Sequence, residues 1–171
     1  MATEIIIKQG DITEEEVDAI VNAANHTLLG GGGLDGSIHF AAGSELLEEC
    51  KTLGGCRKGE AKITKGYNLP AKHIIHTVGP VYGHEDGREE EILKSCYFNC
   101  LEVAKLHGLK SIALPAIATG CFRFPKDHAA AIAVETVSDY VLNHPDEFRL
   151  IIFTLFTELD YSIYRKLILK L

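Results

Sequence analysis

The residues best suited to chemistry lie in two glycine-rich loops. The first runs Asn22-Ala23-Ala24-Asn25-His26-Thr27-Leu28-Leu29-Gly30-Gly31-Gly32-Gly33-Leu34-Asp35-Gly36. Four consecutive glycines cost chain entropy, and they make sense where backbone must approach a ligand or adopt positive φ. A helix is expected just after them, so its free N–H groups would point at the loop. The second loop is Ala118-Thr119-Gly120-Cys121-Phe122-Arg123-Phe124-Pro125, again between a strand and a helix start. Two converging loops rich in N–H groups suit two phosphates, or a diphosphate and a sugar. From spacing alone Asp35 is as good a helix cap as a catalytic carboxylate. Asn25 is equally a turn former.

Other motifs carry less. Gly31-x-Gly33-x-x-Gly36 matches the dinucleotide fingerprint formally, but it follows the second strand, and no acid ends a following strand about 20 residues on. A nicotinamide-dependent oxidoreductase therefore rests on that match alone. There is no GxxxxGK[ST] string. His73 and His76 are three apart on an expected strand, which puts their rings on opposite faces and argues against a metal pair. Cys121 beside a helix N-terminus has the setting of a nucleophile. No histidine is placed to serve it, so it reads as a loop-packing residue.

The elements that must position these loops follow from periodicity. Strands are expected at Glu4–Lys8, Ala19–Asn22, Ala61–Lys65 (an edge strand), His73–Val78, Ser111–Pro115 and Leu150–Phe156. Helical spacing covers Ile38–Cys50, Glu91–His107, Lys126–Leu142 and Tyr161–Leu171. Cys96 and Cys100 fall on an apolar helix face and read as core. The alternation, with strands mostly too apolar to face water, predicts an α/β/α three-layer sandwich around a mixed, largely parallel sheet. Ligands bind beyond the carboxyl ends of such strands, which is where both loops lie.

The 171 residues suit one domain with a substantial core. The composition, 46% hydrophobic and 24% charged, is that of a globular chain. A net charge of −7 argues against general nucleic-acid binding, which needs a basic face, while leaving room for one phosphorylated ligand held by backbone. No apolar run reaches the length of a membrane span. Without a signal pattern at the N-terminus, and with five unpatterned cysteines, a cytoplasmic location with free thiols is expected.

At this point several strings together resemble a macrodomain. They are Gly10-Asp11-Ile12-Thr13, Ile20-Val21-Asn22-Ala23-Ala24-Asn25, Gly30 to Asp35, Gly36-Ser37-Ile38-His39 and Ala41-Ala42-Gly43. His76-Thr77-Val78-Gly79-Pro80, Leu114-Pro115-Ala116-Ile117 and Asp160-Tyr161-Ser162-Ile163-Tyr164 extend the match in order over the whole chain, 1–171. The NAAN…GGGG-x-DG-x-IH string is that of the hydrolytic subclass, the bacterial and mitochondrial O-acetyl-ADP-ribose deacetylase type. The resemblance implies binding of ADP-ribose, removal of mono-ADP-ribose from acidic side chains of proteins, and deacetylation of O-acetyl-ADP-ribose, without a cofactor or metal. It implies that Asp11 accepts the adenine amino group with support from the Ile12 backbone, and that Phe156 stacks on adenine. Thr119, Gly120, Cys121, Phe122 and Arg123 correspond to the diphosphate loop, with Phe122 covering diphosphate and ribose. Asn25, Gly31, Gly32, Gly33, Leu34 and Asp35 correspond to the distal-ribose site, with Asn25 and Asp35 in the chemistry and His39 one turn behind Asp35. A water positioned by Asp35 and the substrate diphosphate would attack.

The second loop departs from the family string Ser-Thr-Gly-x-Tyr-Gly-[Tyr/Phe]-Pro. Arg123 stands where a glycine is usual. It is either strained there or a phosphate ligand. The competing expectation is a reader that binds ADP-ribose without hydrolysing it.

Overall fold

The computed structural model describes residues 2–170. Six strands, β1 (Glu4–Gln9), β2 (Ala19–Ala23), β3 (Ala61–Lys65), β4 (His73–Thr77), β5 (Ser111–Leu114) and β6 (Leu150–Leu155), form one sheet in the order β1-β6-β5-β2-β4-β3. Every pairing is parallel except β3 with β4. The helices are α1 (Gly33–Ala42), α2 (Ser44–Lys51), α3 (Glu89–Leu106), α4 (Lys126–Asn143) and α5 (Glu158–Ile168).

The side-chain period of two in the strands sorts the core into two layers. Val21, Ile75, Ile112, Leu114, Ile151 and Phe153 face α3, α4 and α5. Ile20, Ile74, Ala113 and Ile152 face α1 and α2. This is the expected three-layer sandwich with a mixed, largely parallel sheet. Strands buried on both faces explain the unbroken apolar runs in β5 and β6. β1 is the exception: as an edge strand it alternates, and Ile6 is partly exposed. Cys96 and Cys100 are fully buried, as expected, and the five cysteines are free thiols.

Helix boundaries differ from expectation: α3 and α5 start at Glu89 and Glu158, two and three residues early, and two further differences bear on the site. The helical pattern over Ile38–Cys50 is two helices, because Gly43 takes φ +91° between them. The apolar period runs through that break, so periodicity cannot see it. α1 begins at Gly33 rather than after Gly36, which places Asp35 in its first turn. The end of the expected Tyr161–Leu171 helix at Leu171 lies outside the described residues. Gly43 also brings its Cα close to Asn68: a Cβ there would lie 2.8 Å from Asn68 Nδ2. We expect Gly43→Ala to cost about 1–2 kcal/mol of stability, from left-handed backbone strain, as read by the urea midpoint.

Candidate active site

Both glycine loops leave carboxyl ends of neighbouring parallel strands, β2 and β5, and they converge on a cavity of about 760 Å3. The strand order lays out its lining. Gly10 to Ile12 follow β1, and Thr154 to Phe156 end β6. The 115–122 segment follows β5, and Ala23 to Asn25 with Gly31 to Asp35 follow β2. At about 4.8 Å between adjacent strands, the cavity spans four of them as an elongated trough.

At the β1–β6 end, Asp11 Oδ1 accepts from the Thr13 N–H (2.9 Å) and hydroxyl (2.7 Å), capping a short 3-10 turn. That use leaves the second carboxylate oxygen as the acceptor for a ligand. Phe156 is 79% exposed and lines the cavity, which makes it an aromatic surface open to a ligand.

In the middle, the 118–124 loop is closed by hydrogen bonds from Phe124 N–H to Ala118 O and from Arg123 N–H to Gly120 O, both 2.9 Å. Tyr82 N–H donates to Phe122 O (2.8 Å) and the Tyr82 ring packs on Phe124, so the loop is braced from behind. The buried Tyr97 hydroxyl donates to Pro115 O (3.0 Å) and accepts from Ile117 N–H (3.1 Å), which fixes the stretch entering the loop. A Cβ on Gly120 would meet nothing within 4 Å, and its φ is not positive. The protein itself does not require glycine there; the open space is the cavity.

At the β2 end, Asp35 is 5% exposed. Its Oδ1 accepts from Asn22 Nδ2 at 2.8 Å and lies 3.5 Å from His39 Nε2. Among the described residues its Oδ2 has no hydrogen-bond partner. A Cβ on Gly31 would lie 3.1 Å from that oxygen and 3.3 Å from Asn25 Nδ2, so both groups converge on the Gly31 backbone. Gly36 admits this geometry, since a Cβ there would strike Gly31 O at 2.6 Å. The cap reading of Asp35 is not what forms: the N-cap is Gly32 and no side chain caps α1. Asn25 does form the turn: its Oδ1 accepts from Thr27 N–H and hydroxyl, and its Nδ2 donates to Gly30 O. One N–H of that amide is left for a ligand.

Behind Asp35, Asn22 Nδ2 also meets His76 Nδ1 at 3.2 Å, and His76 Nε2 meets Thr64 Oγ1 at 3.0 Å. Burial, with the neighbouring His39, pushes the His76 pKa down to about 3. His76 is therefore spent on this network and not on a metal with His73. Among the described residues no group of three or more His, Cys, Asp and Glu could hold a metal ion.

Most residues singled out in the sequence line the cavity: Asp11, Ile12, Asn25, Gly31, Gly32, Gly33, Leu34, Asp35, Thr119, Gly120, Cys121, Phe122 and Phe156. His39 and Arg123 do not; His39 stands behind Asp35. Cys121 is exposed on the cavity wall, which corrects its reading as a packing residue. Arg123 sits at φ +64°, so the strained alternative holds for its backbone. Asp160, Thr154 and Ser37 also line the site. Asp160 and Ser37 lay in quoted strings without a role, and nothing in spacing alone marks Thr154.

The site and fold are those of a macrodomain. The macro domain family model matches residues 21–133, and the chain belongs to that family. It is 61% identical over 137 residues to a macro domain-containing protein of Methanosarcina mazei, covering 80% of this chain and 73% of that protein. It is 50% identical over 167 residues to mouse ADP-ribose glycohydrolase MACROD2, covering 97% of this chain and 35% of the relative, so it spans about a third of that protein's length. Among solved structures it is similar to the Oceanobacillus iheyensis macrodomain with ADP (TM-score 0.92, 44% identity, 96% of this chain and 89% of that one). It is also similar to the Trypanosoma brucei macrodomain in complex with ADP-ribose (TM-score 0.91, 41% identity, 96% and 68%). Among the described residues no helix is long and apolar enough to cross a membrane.

Arg123→Gly relieves a left-handed arginine and should stabilise the fold by about 0.5–1 kcal/mol, read as a raised Tm. His76 binds its proton in the unfolded chain near pH 6.5 and in the folded one only near 3. Between those values the unfolded state holds more protons, so stability falls as pH drops through the window, by up to about 1.4 kcal/mol per pH unit for this one group. His76→Gln should remove that share of the slope in denaturant midpoints measured from pH 6.5 to 4.

Proposed function

We propose that this chain is an ADP-ribose-binding hydrolase that removes mono-ADP-ribose from acidic side chains of proteins and deacetylates O-acetyl-ADP-ribose. The observation that carries the reading is the order of groups along the trough. An acceptor and an aromatic face stand at β1–β6, an N–H-rich loop at β5, and a buried carboxylate with one unpartnered oxygen at β2. That is the order of adenine, diphosphate and distal ribose in ADP-ribose. Relatives named ADP-ribose glycohydrolase and similar structures containing ADP or ADP-ribose support it.

In this reading Asp11 accepts the adenine amino group and Phe156 stacks on the ring, where each aromatic–base stack is worth about 1–3 kcal/mol. Backbone N–H groups of the 119–122 loop hold the diphosphate, which is how a chain of net charge −7 holds an anion. The remaining Asn25 N–H and the Gly31–Leu34 backbone hold the distal ribose. Asp35 positions a water against the ester. A carboxylate is a weak base, so a substrate phosphate oxygen shares the proton as the water attacks the acyl carbon or the anomeric carbon. Either route consumes one water and yields free ADP-ribose and a carboxylic acid. Positioning rather than base strength supplies most of the rate.

The test is a time course of ADP-ribose release from a protein bearing glutamate-linked mono-ADP-ribose. Asp35→Ala should lose turnover by about 100-fold or more. Its ADP-ribose affinity should stay within a few-fold of wild type, because the diphosphate and adenine contacts remain. No release by folded wild-type protein that still binds ADP-ribose would make it a reader instead. Full turnover in the variant would remove Asp35 from the chemistry.

A further inference from the structure

The network behind Asp35 reaches the far side of the sheet face and ends on an edge strand. Asn22 on β2 is directly opposite His76 on β4, and Thr64 on β3 is opposite Ile74, two residues from His76 on the same face. Asn22, His76 and Thr64 are 0%, 0% and 2% exposed, and none lines the cavity. We propose that His76 and Thr64 are positioning residues. They fix the amide orientation of Asn22, and through it the placement of Asp35. This rests on the hydrolytic reading above for its kinetic consequence, though not for its geometry.

The argument is one of donors and acceptors. A carboxylate oxygen only accepts, so Asn22 must present its NH2 group to Asp35 Oδ1. The second hydrogen of the same NH2 faces His76 Nδ1 at 3.2 Å, so that nitrogen must be bare. The ring proton then sits on Nε2, which donates to Thr64 Oγ1 at 3.0 Å. Thr64 passes its own hydrogen to Lys65 O at 3.1 Å. Each donor thus has one acceptor, and the chain of hydrogen bonds ends on backbone. The opposite histidine tautomer would aim an N–H at the Asn22 NH2. Turning the amide over would relieve that clash, but it would set Asn22 Oδ1 against the Asp35 carboxylate. Asp35 Oδ1 would lose its donor, and the direction of Oδ2 would be unfixed. Thr64, its own hydrogen given to Lys65 O, supplies the acceptor that this tautomer needs. His39, 3.5 Å from the same Oδ1, is too distant to replace the Asn22 bond.

The experiment pairs histidine side-chain nitrogen NMR with kinetics on Thr64→Val, which keeps the shape and removes the acceptor, and Thr64→Ser, which restores it. Wild-type His76 should be the neutral Nε2–H tautomer across the pH range of activity. Thr64→Val should populate the Nδ1–H form and lower kcat about tenfold. KM and ADP-ribose Kd should stay within about twofold, because the binding contacts are untouched. Thr64→Ser should recover the tautomer and kcat. A merely structural role would lower Tm without moving the tautomer or splitting kcat from KM. An Nδ1–H tautomer in the wild type would overturn the proposal, whatever the variants do. So would a folded Thr64→Val protein with wild-type kcat. Should the wild type hydrolyse no ADP-ribosyl ester, the functional reading fails while the tautomer measurement still decides the network.

Discussion

An acidic chain that holds a diphosphate must supply positive potential without positive side chains. In the proposed reading that potential comes from backbone. Parallel strands that run into loops and helix starts leave their N–H groups unpaired at one edge of the sheet, and a helix N-terminus adds the positive end of its dipole. Folding the first loop back on itself, and keeping the second open to the cavity, needs residues without bulk. Gly36 passes under Gly31 O, and Gly120 leaves its side open to the cavity. Gly36 is thus a steric condition for the site, while Gly120 leaves it room.

Everything on the β2 side of the trough depends in turn on keeping a carboxylate in a place water scarcely reaches. Burial of an acid without a donor is costly, and Asn22 supplies that donor. The rest of the polar ladder exists to keep Asn22 facing the right way, and it runs beside an otherwise apolar layer of Ile20, Ile74, Ile38 and Leu46. On the other face the same sheet is packed by α3, α4 and α5, and one buried hydroxyl, that of Tyr97, reaches through to hold the Pro115–Ile117 segment. Each half of the site is therefore tied to a different core layer.

Much of this was legible in the sequence, and the remainder was hidden for identifiable reasons. Period-two and period-3.6 patterns located all six strands and the long helices, because each buries a defined face. They failed at Gly43, where the apolar spacing continues across a backbone break set by φ +91°. The loops around Asp35 and Gly120 stood out because four glycines in a row and a glycine between strand and helix have few other uses. Asn22 and His76 were visible only as letters in motifs, since their significance lies in a cross-strand register that no local spacing encodes. Arg123 presented two alternatives that sequence could not separate; its positive φ and its absence from the cavity wall come only from three dimensions.

The central claim, that neutral backbone groups rather than cationic side chains hold the anion, is tested most directly by titrating ADP-ribose calorimetrically at low and at high salt. The account predicts saturable one-to-one binding whose Kd rises by no more than about threefold, because hydrogen bonds to N–H groups at close range are weakly screened. A loss of affinity of about tenfold or more would contradict it and would place arginine and lysine charges, Arg123 first among them, at the diphosphate.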